Sequence, residues 1–187
     1  MKEYTYGFEV KHASKLVNRF DVHDLAENKK IFNFQYGGFL KPKTTIKDLD
    51  NNALLEIKKK SIFGFSWEIS KLEDIEIKKE SADSFSKETI KKRVKIVDIS
   101  KTVGLCSGVF SINTKDGNYL SSNYNSVTRL ITDSTGKDVV SISRTSGGIF
   151  LTYLVEVDES FDPLIALGVS SVFIYMYIRA QKTAYSC

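Results

Sequence analysis

Lys58-Lys59-Lys60 and Lys91-Lys92-Arg93 are the longest basic runs in this 187-residue sequence, and Lys78, Lys79 and Lys95 add to them. Clustered ammonium and guanidinium groups attract phosphate. Near an anionic membrane each basic residue adds ~1 kcal/mol of attraction. Lysines at strand ends also solubilise a sheet and shield its edges, so both roles stand open at the level of sequence. Ile62-Phe63-Gly64-Phe65 follows the first triplet. An aromatic at a loop tip there could enter a lipid surface, or simply begin a strand.

Acidic chemistry is thinner. Asp158, Glu159 and Asp162 lie close together, but calcium takes six to eight oxygens, and three carboxylates fall short. Capping of a helix and solvation of a strand end account for them. The stretch from Asp48 through Asp50, Asn51 and Asn52 lacks the sixth-position Gly and twelfth-position Glu of a calcium loop, and reads as a turn. No metal site and no cofactor is expected. The two histidines, His12 and His23, both precede residue 24, and Cys106 stands in VGLCSGVF. Sequence alone brings neither histidine to the thiol. P-loop, GxGxxG, HExxH and CxxC patterns are missing, so the expectation is a non-enzyme.

The elements that must position these groups are short and alternating. Hydrophobic residues make up 42% and charged residues 27% of the chain, the balance of an ordinary globular protein, and one domain over residues 1–187 is expected. A net charge of +4 permits weak attraction to anionic partners without demanding it. Cys187 is the last residue, so no structural bridge to Cys106 is expected, which fits a reducing cytosol. The opening MKEYTYGFEV has no apolar run behind its lysine, so no secretory signal is expected. Period-two alternation predicts strands over 32–36, 44–47, 53–58, 65–70, 75–79 and 93–99, then over 109–113, 119–122, 129–132, 139–144 and 151–158. Asp116-Gly117 predicts a tight hairpin, because the turn needs positive φ. Residues 11–28 are ambiguous, with one helical turn possible over 13–18. SADSFSKETI, residues 81–90, reads as a polar loop or short helix. About eleven short strands in one domain indicate a sandwich or barrel. The twelve Phe and nine Tyr fall at alternate strand positions. They read as core packing rather than base stacking, so no nucleic acid is expected.

IKDLDNNALLEIKK from Ile46 and ITDSTGKDVVSISR from Ile131 align without a gap. Ile46 matches Ile131, Asp48 matches Asp133, Leu55 matches Val140 and Ile57 matches Ile142. Two similar half-domains closing one sheet would explain this.

Residues 163–178 carry no charge. Asp162 can cap a helix and Pro163 suits its first position. Leu164, Ile165, Leu167, Val169, Val172, Phe173, Ile174 and Met176 leave no polar face at period 3.6. The run is short for a bilayer, which needs about 20 apolar residues. A helix threaded through a barrel of half-apolar strands fills the space those strands enclose. The predicted fold is therefore an all-β closed barrel around one C-terminal hydrophobic helix. Lipid insertion of that helix is the competing arrangement.

TYLVEVDESFDPLIALGVSSVFIYMY, preceded by ITDSTGKDVVSISR, resembles the C-terminal signature of the tubby C-terminal-like superfamily, nearest its LURP-one-related branch. It is also similar to the end of phospholipid scramblases. The resemblance covers roughly Ile31 to Arg179 and implies a twelve-stranded barrel around a central helix. It implies a binding module for anionic, phosphoinositide-like head groups held by basic residues on the barrel surface; the candidates, taken from the basic runs and not from the family's positions, are Lys58, Lys59, Lys60, Lys91, Lys92 and Arg93. Scramblases carry a calcium-binding acidic segment where Asp158, Glu159 and Asp162 stand, but their palmitoylated cysteine cluster has no counterpart here. The expected setting is cytoplasmic, peripheral to the inner membrane face. A scramblase-like membrane protein with the helix inserted is one alternative, and a soluble small-ligand carrier or enzyme with no recognisable motif is the other. Nothing in the sequence sets the oligomeric state.

Overall fold

Twelve antiparallel strands pair in chain order and the last returns to the first, closing a barrel without a sheet edge inside it. The structure is a computed structural model describing residues 4–14, 18–37, 42–61, 65–81, 84–102, 108–123, 127–145 and 151–184. The first half of the ring is β1 (Tyr6–Ser14), β2 (Arg19–Asp24), β3 (Lys29–Gly37), β4 (Lys43–Lys47), β5 (Ala53–Lys59) and β6 (Ser66–Ser81). The second is β7 (Ser84–Lys101), β8 (Phe110–Thr114), β9 (Asn118–Asn123), β10 (Thr128–Thr132), β11 (Asp138–Thr145) and β12 (Thr152–Val157). The helix α1 (Pro163–Ala184) follows.

Alternation builds the wall. Phe20 and Val22 of β2, Phe34 and Tyr36 of β3, Ile46 of β4, and Leu55 and Ile57 of β5 are buried. Trp67 and Ile69, Val97 and Ile99, Ile112, Ile131, Val140 and Ile142, and Val155 continue the ring. Within each strand they recur at every second position, so all point inward. The helix fills the space they surround. Ile165, Leu167, Val169, Val172, Phe173 and Ile174 are buried, while Leu164 and Met176 pack partly buried against the same core. Gly168 sits where a Cβ would come within 3.1 Å of Leu55 and 3.3 Å of Ile69, so the missing side chain lets helix and wall approach. Residues 163–180 are apolar enough to span a membrane by length and composition. Here strands cover the middle of that segment.

The Asp162 carboxylate accepts hydrogen bonds from the Leu164 and Ile165 amides at 2.8 and 2.9 Å. It satisfies donors that every helix start leaves open. Deeper in the barrel the Tyr36 hydroxyl donates to the Ser171 carbonyl. Burial pushes that phenol well above its ordinary range.

Three expectations need correction. The ambiguous N-terminal tract is two strands, β1 and β2: Ala13 and Ser14 end β1, so no helical turn begins there. Residues 15–17 lie outside the described residues. The polar stretch 81–90 is mostly strand, since β7 begins at Ser84. The predicted strands 65–70 and 75–79 are one, β6, of 16 residues. Pairing of β5 with β6 stops at Leu55↔Lys71, whereas β6 and β7 stay in register out to Ser81↔Ser84. The result is a two-stranded ribbon running past the barrel wall.

The internal alignment has a structural counterpart. Ile46 pairs with Leu55 and Ile131 with Val140, and both ladders shift register one residue later. The Asp48 carboxylate accepts from the Asn52 amide, and the Asp133 carboxylate from the Lys137 amide. Asn51 and Gly136, matched in the same alignment, hold φ of 70° and 85°. β4 and β10 stand six places apart in a ring of twelve, so the two hairpins face each other across it.

Candidate functional site

The outer wall of β2 to β7 gathers basic side chains around too few acids. Asp21 on β2 lies 2.8 Å from Lys30 and 3.7 Å from Arg19. Glu56 on β5 lies 2.6 Å from Lys43 and 3.0 Å from Arg93. Asp98 on β7 binds Lys60 at 3.1 Å and also Lys95. Each carboxylate is thus shared by two cations and leaves one positive charge unneutralised. Lys58 pairs singly with Glu68 at 2.9 Å. The Lys58 hydrogen bond holds the Glu68 carboxyl below its usual range, with Lys60 and Lys95 adding to the effect. Burial pushes Asp98 up, but hydrogen bonds from Lys95 and Lys60 outweigh it and leave that carboxyl lowered.

The strand register spreads the predicted lysines along this wall. Lys58 lies opposite Glu68, which lies opposite Asp98, while Lys92 lies opposite Glu73 and Lys91 opposite Asp74. Five residues along β6 separate the two levels, roughly 17 Å at the usual rise. Lys58, Lys60 and Arg93 therefore share the barrel wall, and Lys91 and Lys92 stand on the ribbon. Lys59 follows Lys58 on β5, where its amide donates to the Pro42 carbonyl. The two runs do not merge into one compact patch.

A concentration of charge that the sequence does not advertise lies beside them. Arg19, Lys30, Lys43 and Lys47 line one open groove of about 880 Å³ with Asn33 and Gln35. Among the described residues no carboxylate lines it. The four cations come from three strands and are scattered through the sequence, so no run marks them. Only the register betrays them. Lys47 lies opposite Asn33 and Lys43 opposite Gly37, with Asn33 in turn opposite Asp21 and Gln35 opposite Arg19. Leu49 sits at the groove's lower end, half exposed.

The other candidates serve structure. Asp158 accepts from Lys137 at 2.8 Å and from the Ser160 hydroxyl at 2.6 Å. The Lys137 contact holds its carboxyl far below the ordinary range. Asp162 is the helix cap. Among the described residues no three metal-ligating side chains converge. His12 stacks on Phe20 at 4.7 Å, and His23 faces Glu9 in the ladder. Cys106, Cys187 and residues 62–64 lie outside the described residues. Phe65 is 51% exposed, with the Lys101 ammonium 5.3 Å above its ring.

No curated protein matches the chain. The family model described as LURP-one-related matches residues 8–174, which takes in the barrel from β1 onward and the buried part of the helix. The chain belongs to the LURP-one-related family, within the tubby-like superfamily.

Proposed function

We propose that this barrel is a non-enzymatic binding module that holds anionic phospholipid head groups on the outer wall of β2 to β7, at the cytoplasmic face of a membrane. One observation carries the reading: three carboxylates, Asp21, Glu56 and Asp98, are each shared between two basic side chains. Exposed ion pairs contribute only about 0–1 kcal/mol. A phosphate can therefore take over one cation of each trio while the carboxylate keeps the other. The groove between Arg19, Lys30, Lys43 and Lys47 is large enough for a phosphorylated head group, and Asn33 and Gln35 offer amide donors within it. Lys58, Lys59 and Lys60, with Phe65 beyond them, extend the attraction along the wall. Lys91, Lys92 and Arg93 extend it towards and onto the ribbon. A phosphoinositide, with several phosphates on one ring, suits this spread of cations better than a single-phosphate lipid.

Vesicle flotation tests the reading. Neutral phosphatidylcholine vesicles should leave the protein unbound. Increasing phosphatidylserine should recruit it, a small fraction of phosphatidylinositol bisphosphate should do so more strongly, and added salt should release it. The double variant Lys30→Glu/Lys47→Glu should lose most of this binding. Recruitment indifferent to anionic lipid content would overturn the proposal. The helix stays within the barrel in this reading, so recruitment should be reversible by salt alone.

A further inference from the structure

Among the described residues, one buried charge in the barrel meets only neutral partners. Arg129 on β10 is 5% exposed and shares the inward face of its strand with Ile131. Its guanidinium lies 4.4 Å from the centre of the Phe173 ring and 5.2 Å from that of Phe110. It donates to the Gly108 carbonyl and the Ser121 hydroxyl, each at 2.9 Å, and to the Asn123 amide oxygen at 2.5 Å. All three acceptors are neutral, and among the described residues no carboxylate pairs with it. The segments 103–107, between β7 and β8, and 124–126, between β9 and β10, contain no Asp or Glu. Burial pushes the guanidinium down from its ordinary range, and the nearby Tyr177 hydroxyl offsets this only in part. Arginine nevertheless stays charged in proteins. A buried ion without a counter-ion costs several kcal/mol.

The barrel does not require this charge. Extended backwards, the gapless alignment pairs Arg129 with Thr44, buried in the opposite hairpin, where its hydroxyl donates to the Gln35 carbonyl at 2.8 Å. The same wall closes there around a small neutral side chain. Beside Arg129 a cavity of about 170 Å³ opens between Phe173, Met176, Tyr177 and Ala180. Among the described residues the Arg129 Nε and the Tyr177 hydroxyl complete no well-formed hydrogen bond, and neither does the Tyr153 hydroxyl. The Tyr153 and Tyr177 rings are stacked 6.4 Å apart. One fixed cation, the adjacent Tyr177 hydroxyl and an otherwise apolar lining are thus set at the end of the barrel where the helix leaves.

We propose that Arg129 anchors the carboxylate of a small aliphatic acid, whose chain lies in the cavity against Phe173 and Met176. The single cation matches a monoanion, whereas a phosphate dianion would meet one charge and an apolar wall. At about 170 Å³ the cavity has room for a short-chain acid such as butyrate. This site lies at the end of the barrel where the helix leaves, and shares no residue with the outer wall proposed for lipid.

Calorimetric titration of the full chain with sodium butyrate tests it, with sodium acetate and inorganic phosphate alongside. Butyrate should bind saturably and more tightly than either. Arg129→Met should weaken butyrate by about tenfold or more, as expected for loss of a charge-assisted hydrogen bond, with circular dichroism reporting whether it folds. Ala180→Trp, at an exposed position lining the cavity, keeps the arginine and fills the space. It should abolish binding even if the Arg129 variant does not fold. Butyrate binding that is absent in the wild type, or unchanged by Ala180→Trp, overturns the proposal. Phosphate binding tighter than butyrate overturns the carboxylate assignment.

Discussion

The hairpins β4–β5 and β10–β11 share one scaffold and carry different side chains. Inward, Ile46, Leu55 and Ile57 correspond to Ile131, Val140 and Ile142, and all six are fully buried. Outward, Lys43, Lys47, Glu56 and Lys58 correspond to Thr128, Thr132, Ser141 and Ser143. The first hairpin therefore bears charge outside, and the second bears hydroxyls there. The inward position at the far end reverses the contrast, with Thr44 in one and Arg129 in the other. The apolar positions shape the barrel and are matched between the halves. The polar ones leave the shape alone and differ, which is where binding can be specified.

Paired substitutions in the two hairpins put this contrast to the test. The largest effect belongs to the matched core. Ile57→Ala and Ile142→Ala should each cost about 2–5 kcal/mol in denaturant unfolding. Costs differing by more than the spread of that range would show that the halves do not share the load equally. Next come the turns. Gly136 sits at φ 85° with open space around its would-be Cβ, so Gly136→Ala should lose about 1–2 kcal/mol through backbone strain alone. The counterpart Asn51→Gly, already left-handed, should change stability by less than about 1 kcal/mol.

The third test concerns a contact one hairpin has and the other lacks. Lys137 ties the second turn to Asp158 at the helix entry, whereas its counterpart is Asn52. The Lys137 hydrogen bond lowers the folded-state Asp158 value. A depressed carboxyl contributes stability that is complete above its unfolded value, near 4, and fades as pH falls through the folded value. Thermal unfolding of the wild type should thus weaken below about pH 4, and Asp158→Asn should flatten that loss. The smallest effect lies outside. Lys58→Ser, which writes the second hairpin's residue into the first, should cost about 0–1 kcal/mol of stability while still lowering retention on anionic vesicles.

Sequence patterns made the wall legible over β3 to β5 and β8 to β12. Ile131 and Val155 stand in segments whose alternation marks them, and β10 to β12 follow the predicted bounds closely. The β6 side of the ribbon was legible through Ile75 and Ile77, whereas the start of its partner β7 escaped, because residues 81–90 are mostly polar and show no sustained alternation. β1 and β2 also escaped, although Phe8 and Val10, and Phe20 and Val22, alternate inward: the tract 11–28 that runs through both does not separate strand from helical turn by its pattern. The lysine runs were visible by adjacency, but adjacency along the chain does not measure distance across a sheet.

By itself, the sequence determined that alternating strands must enclose something apolar and that residues 163–178 could fill it, because both are consequences of local periodicity. It also carried the internal repeat, since turn residues and apolar positions are read in one dimension. The tertiary structure alone decided which charges meet. Arg19, Lys30, Lys43 and Lys47 share a groove because three strands lie side by side in one register, and Arg129 faces Phe173 because β10 wraps around a helix that comes much later in the chain. Electrostatics depends on separation in space, and closing the barrel is what sets those separations.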